Sequence, residues 1–249
     1  VQGWQAAGIS FSNVTVIRPS GTPVDGVSTV TSYPEQAPRF VMLGFKPQKL
    51  DEVARGLEQH IGEQTTVVSM LAGVSAATLR ERFPKARAIV RVMPNLPVAQ
   101  VQGVTAIYSE DGGVDDLVEV RDLMASLGNV AWCEVEAELG VIGAVASAGI
   151  AYVARFAEAL AQGGISLGMK PGLAQQVAIQ TLVGTGAYAA DTGVSMKEVA
   201  RRVASPKGTT EQGLAVLDAA DGLNPLVERT LAAAVRRGQE LAAEAARQN

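Results

Sequence analysis

Hydrophobic and polar positions in the first half of the chain alternate between short β-branched runs and amphipathic helical segments. The runs predict strands over 14–17, 40–43, 65–69, 88–92, 104–108 and 129–132, and the periodicity predicts helices over about 48–58, 75–83 and 114–127. Because consecutive parallel strands are joined by crossover helices, this alternation predicts a mainly parallel sheet.

From residue 136 onward the pattern is almost entirely helical. It predicts helices over about 136–162 and 171–190, and two shorter helices that begin with the capping-box patterns Ser195 to Glu198 and Thr209 to Gln212. Asn224 is the predicted N-cap, and Pro225 the first residue, of a long helix to about 246. We therefore predict an α/β domain over 1–133 and an all-α domain over 134–249.

The predicted helix over 136–162 is rich in glycine and alanine, whose small side chains let other helices approach closely. Tight packing within one subunit is one interpretation; packing against a second copy of the domain is the one we favour. Residues 139–154 and 171–190 carry no charge. The first stretch is shorter than a membrane span of roughly 20 residues, and the second contains glutamines and threonines, so we interpret both as buried helices of a helical core.

Composition and charge exclude several classes of protein. Hydrophobic residues make up 47% of the 249 positions and charged residues 18%, which is typical of a globular protein and not of a disordered one. The net charge is −4 and the basic residues are scattered, so we predict no nucleic-acid partner. A single cysteine, Cys133, excludes an internal disulfide, and with no signal peptide at the start this favours a cytoplasmic protein. We assign no metal site.

The first residues of the chain resemble the end of a helix, with Gly8 as its C-terminal cap, and no GxGxxG precedes them. The run 14–17 is then the second strand of a dinucleotide-binding fold, and Arg18 and Ser20 follow it where such folds contact the adenosine ribose. An acidic residue there suits NAD, whereas Arg18 and Ser20 suit the 2′-phosphate of NADPH; a solvated surface arginine is the simpler alternative. Without the glycine loop, we expect weak binding of the pyrophosphate.

Three successive predicted strands end in turns that contain Gly, Pro or Asn, over 43–48, 69–74 and 93–97. Ligands of open parallel sheets bind outside the carboxyl ends of the strands. Any one of these turns is explained by ordinary turn chemistry, but the three together favour a cofactor cleft.

The segment 205–210 lies just before a predicted helix of the second half. Gly208, Thr209 and Thr210 would offer backbone N–H groups and hydroxyls at a helix N-terminus, which suits an anion such as a carboxylate. The alternative is simple capping by Thr209, with Gln212 completing the box, and spacing alone favours that alternative.

These motifs, in this order and spacing, resemble those of pyrroline-5-carboxylate reductases over nearly the whole chain. The matching segments are 45–48, 69–74, 93–97, 149–152, 158–160, 180–182 and 205–210, of which 93–97 and 205–210 are the most specific. The resemblance implies an α/β Rossmann-type cofactor domain, here lacking its first strand and glycine loop, and an all-α C-terminal dimerisation domain. It also implies a homodimer or higher homo-oligomer that reduces 1-pyrroline-5-carboxylate to L-proline, the last step of proline synthesis, with NADPH or NADH.

The resemblance further implies the roles of particular residues. Hydride passes directly from the nicotinamide to the C=N carbon of a cyclic imine, so the site needs no covalent nucleophile and must bind and align its ligands. The residues implied for the substrate are Ser205, Gly208, Thr209 and Thr210, with the Thr210 hydroxyl beside the ring nitrogen as the catalytic group. Those implied for the nicotinamide and ribose are Lys46, Pro47, Ala72, Gly73 and Asn95. The single histidine, His60, is given no catalytic role.

The chain departs from the family pattern at several of these motifs. The departures are Gly44 and Phe45, Leu96, Ala148, Ile150 and Lys207, which lie at the predicted site and allow altered substrate choice. One alternative is a reductase of another imine or of a β-hydroxyacid, although 139–154 lacks the lysine that the latter would need. The other is a catalytically weak paralogue that acts through its dimer surface, which the absent glycine loop favours and the retained Thr209 and Thr210 disfavour.

Overall fold

A computed structural model of the chain describes residues 1–111 and 115–248, without the side chains of 244–248. The described strands are β1 (Thr15–Ile17), β2 (Ser28–Val30), β3 (Phe40–Leu43), β4 (Thr66–Ser69), β5 (Ala88–Pro94), β6 (Gly103–Tyr108) and β7 (Gly128–Trp132). The α-helices are α1 (Gln2–Ala6), α2 (Leu50–Leu57), α3 (Ala76–Arg82), α4 (Asp115–Ala125), α5 (Glu138–Ile142), α6 (Gly149–Ser166), α7 (Pro171–Thr192), α8 (Met196–Val203), α9 (Thr209–Leu217) and α10 (Leu223–Gln248). The predicted order, an α/β half followed by an all-α half, is confirmed.

The main sheet has the strand order β3-β4-β5-β6-β7, and β1 and β2 form a separate parallel pair. All pairs of the main sheet are parallel except β5 with β6, which are antiparallel. The antiparallel pair was not predicted. Only a short segment with the 3-10 helix Leu96–Gln100 joins β5 to β6, which is too short for a crossover, so the chain doubles back.

The carboxyl ends of β3, β4 and β5 lie side by side at one edge of the main sheet. The register pairs Leu43 with Ser69 and Ser69 with Arg91. The three turns predicted to form a cofactor cleft are therefore neighbours. Both faces of the central strands are covered: helices α2 and α3 contribute Leu50, Leu57 and Leu79 to one core cluster, and α4 contributes Leu117, Val120 and Met124 to the other. Burial on both faces explains the continuous apolar runs of β4 and β5.

Several helix ends follow the predicted chemistry. Gly8 has a φ of +75°, its N–H donates to the Gln5 oxygen at 3.0 Å, and the Ile9 N–H donates to the Trp4 oxygen at 2.9 Å. This is a Schellman end, so the predicted capping role of Gly8 is confirmed. At the start of α8 the Ser195 hydroxyl accepts from the Glu198 N–H at 3.2 Å, as predicted. Val114, the predicted first residue of a helix, lies outside the described residues.

Two predicted helices differ from the structure. The helix expected over 136–162 is interrupted by a π-helical turn at Gly143–Ala148. The last helix begins at Leu223, and the Leu226 N–H points to the Gly222 oxygen at 3.4 Å, so the prediction of Asn224 as the N-cap is wrong. Pro225 is still tolerated because first-turn N–H groups have no partner within the helix.

The chain divides into two compact units, Val1–Ser147 with Val235–Asn249, and Ala148–Ala234. The predicted boundary at 133/134 marks the change from strands to helices and stays a prediction as a domain boundary. In the second unit α6 and α7 pack through Ala161, Ala174 and Ala178.

Most of the remaining surface of α6 and α7 is exposed in the single chain, so the expectation that both charge-free stretches are buried is wrong at this level. The exposed apolar side chains are Val153, Phe156, Leu160, Leu173, Val177, Ile179, Leu182, Val183 and Tyr188. Among the described residues one stretch, Glu138–Ser166, is long and apolar enough to cross a membrane by length and composition, with a mean hydropathy of 1.6. Only 11% of the apolar 18-residue window within this stretch is buried inside the chain.

Candidate cofactor and substrate sites

The turns after β3 and β4 contact each other at the sheet edge. The Met70 N–H donates to the Leu43 oxygen at 3.0 Å, and a Cβ atom on Gly44 would lie 3.0 Å from the Met70 methyl group. Ala72 and Gly73 follow in an exposed loop, where Gly73 has a φ of +75°, a conformation that side chains with a Cβ rarely adopt. The loop therefore offers exposed backbone at the edge predicted for the nicotinamide.

Lys46 and Pro47 lie at the end of the neighbouring turn. Lys46 is exposed and extended, and its oxygen accepts from the Lys49 N–H at 2.9 Å at the start of the 3-10 helix Pro47–Lys49. The backbone is thus fixed while the ammonium group is exposed at the sheet edge. A cation there suits a phosphate or a carboxylate.

Arg18 and Ser20 follow β1 in the two-stranded sheet. The Arg18 N–H extends the ladder to the Val30 oxygen at 2.8 Å, and its guanidinium donates to the Thr22 oxygen at 3.3 Å. The hydroxyls of Ser20 and Thr22 are 3.0 Å apart. Both predicted residues are exposed in one turn, which brings a cation and two hydroxyls together.

Asn95 was predicted to line the cofactor, but in the structure its side chain forms hydrogen bonds with backbone groups of the protein. Asn95 is 8% exposed; its Oδ1 accepts from the Val104 N–H at 2.8 Å, and its Nδ2 donates to the Ala146 oxygen at 2.9 Å. The next residue, Leu96, is 76% exposed. The side chain of Asn95 therefore holds backbone in place, and the exposed surface of this turn begins at the following residue.

A carboxylate that sequence reasoning missed ties the Ala72–Gly73 loop to β5. The Oε1 atom of Glu136 accepts from the Ala76 N–H at 2.6 Å, just after that loop, and from Arg91 at 2.8 Å. The Arg91 side chain is only 11% exposed. The available signal was an arginine inside an apolar strand, because a buried cation requires a partner.

The turn Ser205–Gly208 precedes α9. The Gly208 N–H donates to the Ser205 oxygen at 2.9 Å, and Lys207 has a φ of +58°. With Pro206 before a residue of positive φ, this is a type II turn, whose third position is normally glycine. A Cβ atom on Gly208 would lie 2.9 Å from the Ser205 carbonyl oxygen and closer still to the Ser205 hydroxyl, so a larger residue there would force the turn to shift.

Two predictions at this turn need correction. The N-cap of α9 is Gly208, without a side-chain cap, and Thr209 is the first helical residue, so the capping box that begins at Thr209 is wrong. The carboxylate of Glu211 instead accepts from the Lys207 N–H at 2.6 Å. The Gly208 N–H is already used in the turn, which leaves the first-turn N–H groups of Thr209 and Thr210 as the donors that this helix N-terminus could offer to an anion.

Two residue types that often act in catalysis have structural surroundings here. Cys133 is 2% exposed, and burial, followed by the nearby Glu138, raises the pKa of its thiol. It is therefore protonated and unreactive at neutral pH. The ring of His60 stacks on that of Tyr33 with centroids 5.1 Å apart, which is a packing role.

Comparison with known proteins identifies the relatives of this arrangement. Residues 136–241 match the family model for pyrroline-5-carboxylate reductase dimerisation. The pyrroline-5-carboxylate reductase of Synechocystis sp. is 37% identical over 203 residues, which cover 81% of this chain and 74% of that protein. The chain belongs to the pyrroline-5-carboxylate reductase family. The α/β half and the dimerisation domain of such a reductase are thus both present.

Solved structures of reductases agree in fold. The pyrroline-5-carboxylate reductase of Coxiella burnetii is 28% identical, with a TM-score of 0.87 and coverage of 96% of this chain and 92% of that chain. The pyrroline carboxylate reductase of Plasmodium falciparum, solved with NADP bound, is 22% identical with a TM-score of 0.80, covering 97% and 92%. The latter likeness concerns the fold alone.

Proposed function

We propose that the protein reduces 1-pyrroline-5-carboxylate to L-proline with NADPH as the preferred hydride donor. Family membership, at 37% identity to a curated reductase, makes the chain an oxidoreductase of this reaction. The single observation that carries the proposed substrate site is the type II turn at 205–208. It presents the N–H groups of Thr209 and Thr210 at a helix N-terminus, where a substrate carboxylate would bind.

The reaction adds a hydride to the carbon of the C=N bond and a proton to its nitrogen, while NADPH becomes NADP⁺. The protein must bind the carboxylate and fix the imine against the nicotinamide. In the proposal the first-turn N–H groups of α9 bind the carboxylate, assisted by Ser205, and the exposed Thr210 hydroxyl orients the ring nitrogen. Lys207, exposed in the same turn, adds a positive charge that favours an anionic substrate.

For the cofactor, the proposal places the nicotinamide and its ribose at the edge formed by Lys46, Pro47, Ala72 and Gly73. The structural support is that these residues lie at the carboxyl ends of adjacent parallel strands. The 2′-phosphate is assigned to Arg18 and Ser20, since a cation and hydroxyls in one exposed turn suit a dianion better than a ribose diol.

The proposal also includes a homodimer formed through the helical domain. Apolar side chains along α6 and α7 are exposed in the single chain, and such a surface is normally covered by a partner. Gly163, Gly184 and Gly186 have open space where a Cβ would lie, which permits close approach of another backbone. The match of this region to a dimerisation domain favours a second copy over a membrane as the cover.

A steady-state assay tests the proposal. Purified protein should consume NADPH in proportion to added 1-pyrroline-5-carboxylate and produce proline, with a higher kcat/KM for NADPH than for NADH. Arg18→Ala should reduce that preference, whereas Arg55→Ala, an exposed arginine on α2, should leave it unchanged. No proline formation would contradict the activity, and an unchanged cofactor preference in Arg18→Ala would contradict the assignment of the 2′-phosphate.

A further inference from the structure

The carboxyl end of β5 contacts the π-helical turn Gly143–Ala148 at two points. The Asn95 amide donates its 2.9 Å hydrogen bond to the Ala146 oxygen inside that turn. A Cβ atom on Gly143 would lie 2.9 Å from the Met93 sulfur, so any larger residue there displaces Met93. Both contacts belong to the first compact unit and come from two residues, Met93 and Asn95, that are separated by one position.

Asn95 is held from its other side by β6. Besides the bond from the Val104 N–H to Oδ1, the Asn95 N–H donates to the Val104 oxygen at 3.1 Å. These partners fix the orientation of the buried amide, because the flipped orientation would oppose its oxygen to the Ala146 oxygen and its NH₂ to the Val104 N–H. The side chain is thus a rigid bridge between a strand and a helical turn.

The π-helical turn is where this bridge ends. Such turns interrupt a regular helix and occur frequently at functional sites. A side chain that bonds to a helical carbonyl from outside is a recognised cause of irregularity in the helix. The position of the interruption, within a segment whose pattern predicts one continuous helix, therefore coincides with the Asn95 contact.

We propose that Asn95 is a positioning residue of the reductase, which acts through Ala146 and Val104 and not by touching the cofactor. The inference rests on the proposed function, which places the nicotinamide at this edge of the sheet. By fixing the backbone that precedes the exposed Leu96, Asn95 sets where that edge lies; a misplacement of about 1 Å can cost roughly 100-fold in rate. Because Asn95 is proposed to fix the geometry of this edge and not to contact the dinucleotide, the loss should fall on kcat and not on the KM for NADPH.

Asn95→Asp isolates the bond to Ala146, because aspartate keeps the acceptor for Val104 and loses the N–H donor. At mildly alkaline pH the variant should lose about tenfold or more in kcat, with the KM for NADPH changed by less than about threefold. A protonated carboxyl can donate to the Ala146 oxygen. Since burial raises the pKa of a carboxyl, the ratio of variant to wild-type kcat should rise as the pH falls.

The matched control is Gln100→Glu, which adds a charge to an exposed position of the same segment and should leave kcat unchanged. A loss mainly in the KM for NADPH, a kcat ratio independent of pH, or full activity of Asn95→Asp would overturn the proposal. If Asn95→Asp does not fold, the shorter Asn95→Ser must show the same loss in kcat with a retained KM, and any other result overturns it.

A separate measurement distinguishes failure of this inference from failure of the proposed function. If the wild-type protein does not turn over 1-pyrroline-5-carboxylate, the proposed function fails, and Asn95 is judged by amide hydrogen exchange instead. Exchange over residues 143–148 should then be faster in Asn95→Asp than in the wild type, with exchange over α6 unchanged. Equal exchange in the two proteins would overturn the positioning role.

Discussion

At the scale of single residues, the turn before α9 holds a lysine in a backbone conformation that suits glycine. Lys207 has a φ of +58°, a left-handed conformation that costs residues with a Cβ about 1–2 kcal/mol. The charge of Lys207 lies beside the proposed carboxylate site, so the strained residue has a functional reason to be there.

Lys207→Gly should therefore stabilise the protein by roughly 0.5–1 kcal/mol, after the extra chain entropy of glycine is deducted. The same variant should raise the KM for the anionic substrate, because the positive charge is lost. Lys207→Ala is the control, since it removes the charge but keeps the strain. Urea unfolding of all three proteins measures the difference, and equal stability of the glycine and alanine variants would show that the strain is absent.

Thr209 and Thr210 begin α9, and only the Thr210 hydroxyl is assigned a role in the proposed reaction. Thr210→Ala should lower kcat/KM for 1-pyrroline-5-carboxylate by about tenfold or more, equivalent to roughly 1.4 kcal/mol. Thr209→Ala is the matched control, because neither hydroxyl caps α9 and both residues are exposed. Both variants should unfold within about 0.5 kcal/mol of the wild type. Full turnover by Thr210→Ala would contradict the assignment of the catalytic hydroxyl to Thr210.

Asp116 is a buried carboxylate that links α4 to the main sheet. It accepts hydrogen bonds from Arg39 at 2.9 Å and from Thr66 at 2.9 Å, and pairs with Arg87 at 2.8 Å. Burial raises the pKa of this carboxyl, but the Arg39 and Thr66 bonds and the Arg87 charge together lower it below the ordinary value of 3.8. Because the folded pKa is the lower one, the group stabilises the fold above the unfolded pKa and loses that effect as the pH falls.

Asp116→Asn should cost about 1–3 kcal/mol at neutral pH, as expected for lost hydrogen bonds to charged groups. The difference in the free energy of unfolding between wild type and variant should become smaller as the pH falls below about 4. Asp122→Asn, at an exposed position of the same helix, should change stability by under about 0.5 kcal/mol at any pH. A gap that stays constant down to low pH would rule out the depressed pKa.

At the scale of elements, the pattern predicted every strand with a continuous apolar run and missed β2, which has only three residues, two of them Ser28 and Thr29. It also missed the reversal between β5 and β6, because hydrophobic periodicity does not report strand direction. The start of α10 was misplaced since Asn224 and Pro225 are tolerated within a first turn as well as before it. Capping by Gly8 and Ser195 was predictable because it depends on local chemistry alone.

Helix α7 allows a test of the dimer at this scale. Ile179 and Val183 are one turn apart, with exposures of 59% and 57% in the single chain. Ile179→Glu with Val183→Glu should convert the assembly to monomers and reduce activity, because burying two carboxylates in an apolar interface is costly. Gln176→Glu adds one carboxylate at an exposed polar position of α7 and should change the oligomer less. Light scattering decides between the outcomes, and a monomeric wild type would contradict the proposed dimer.

At the scale of the whole molecule, the order of the two halves and the family were predictable because motifs survive at strand ends and at the helix start 205–210. The contacts that hold the site were not predictable. Glu136 reaches Ala76 and Arg91 across 60 and 45 residues, and Asn95 reaches Ala146 across 51. Such bridges depend on how the sheet brings distant segments together, and no local pattern encodes them.

The most direct test of the central claim follows the hydride itself. The protein is incubated with 1-pyrroline-5-carboxylate and NADPH that carries deuterium at C4 of the nicotinamide, on one face or the other. We expect one of the two labelled cofactors, and only one, to give L-proline with deuterium at C5, the former imine carbon. Proline without deuterium from either cofactor, or no proline at all, would contradict direct hydride transfer to the imine.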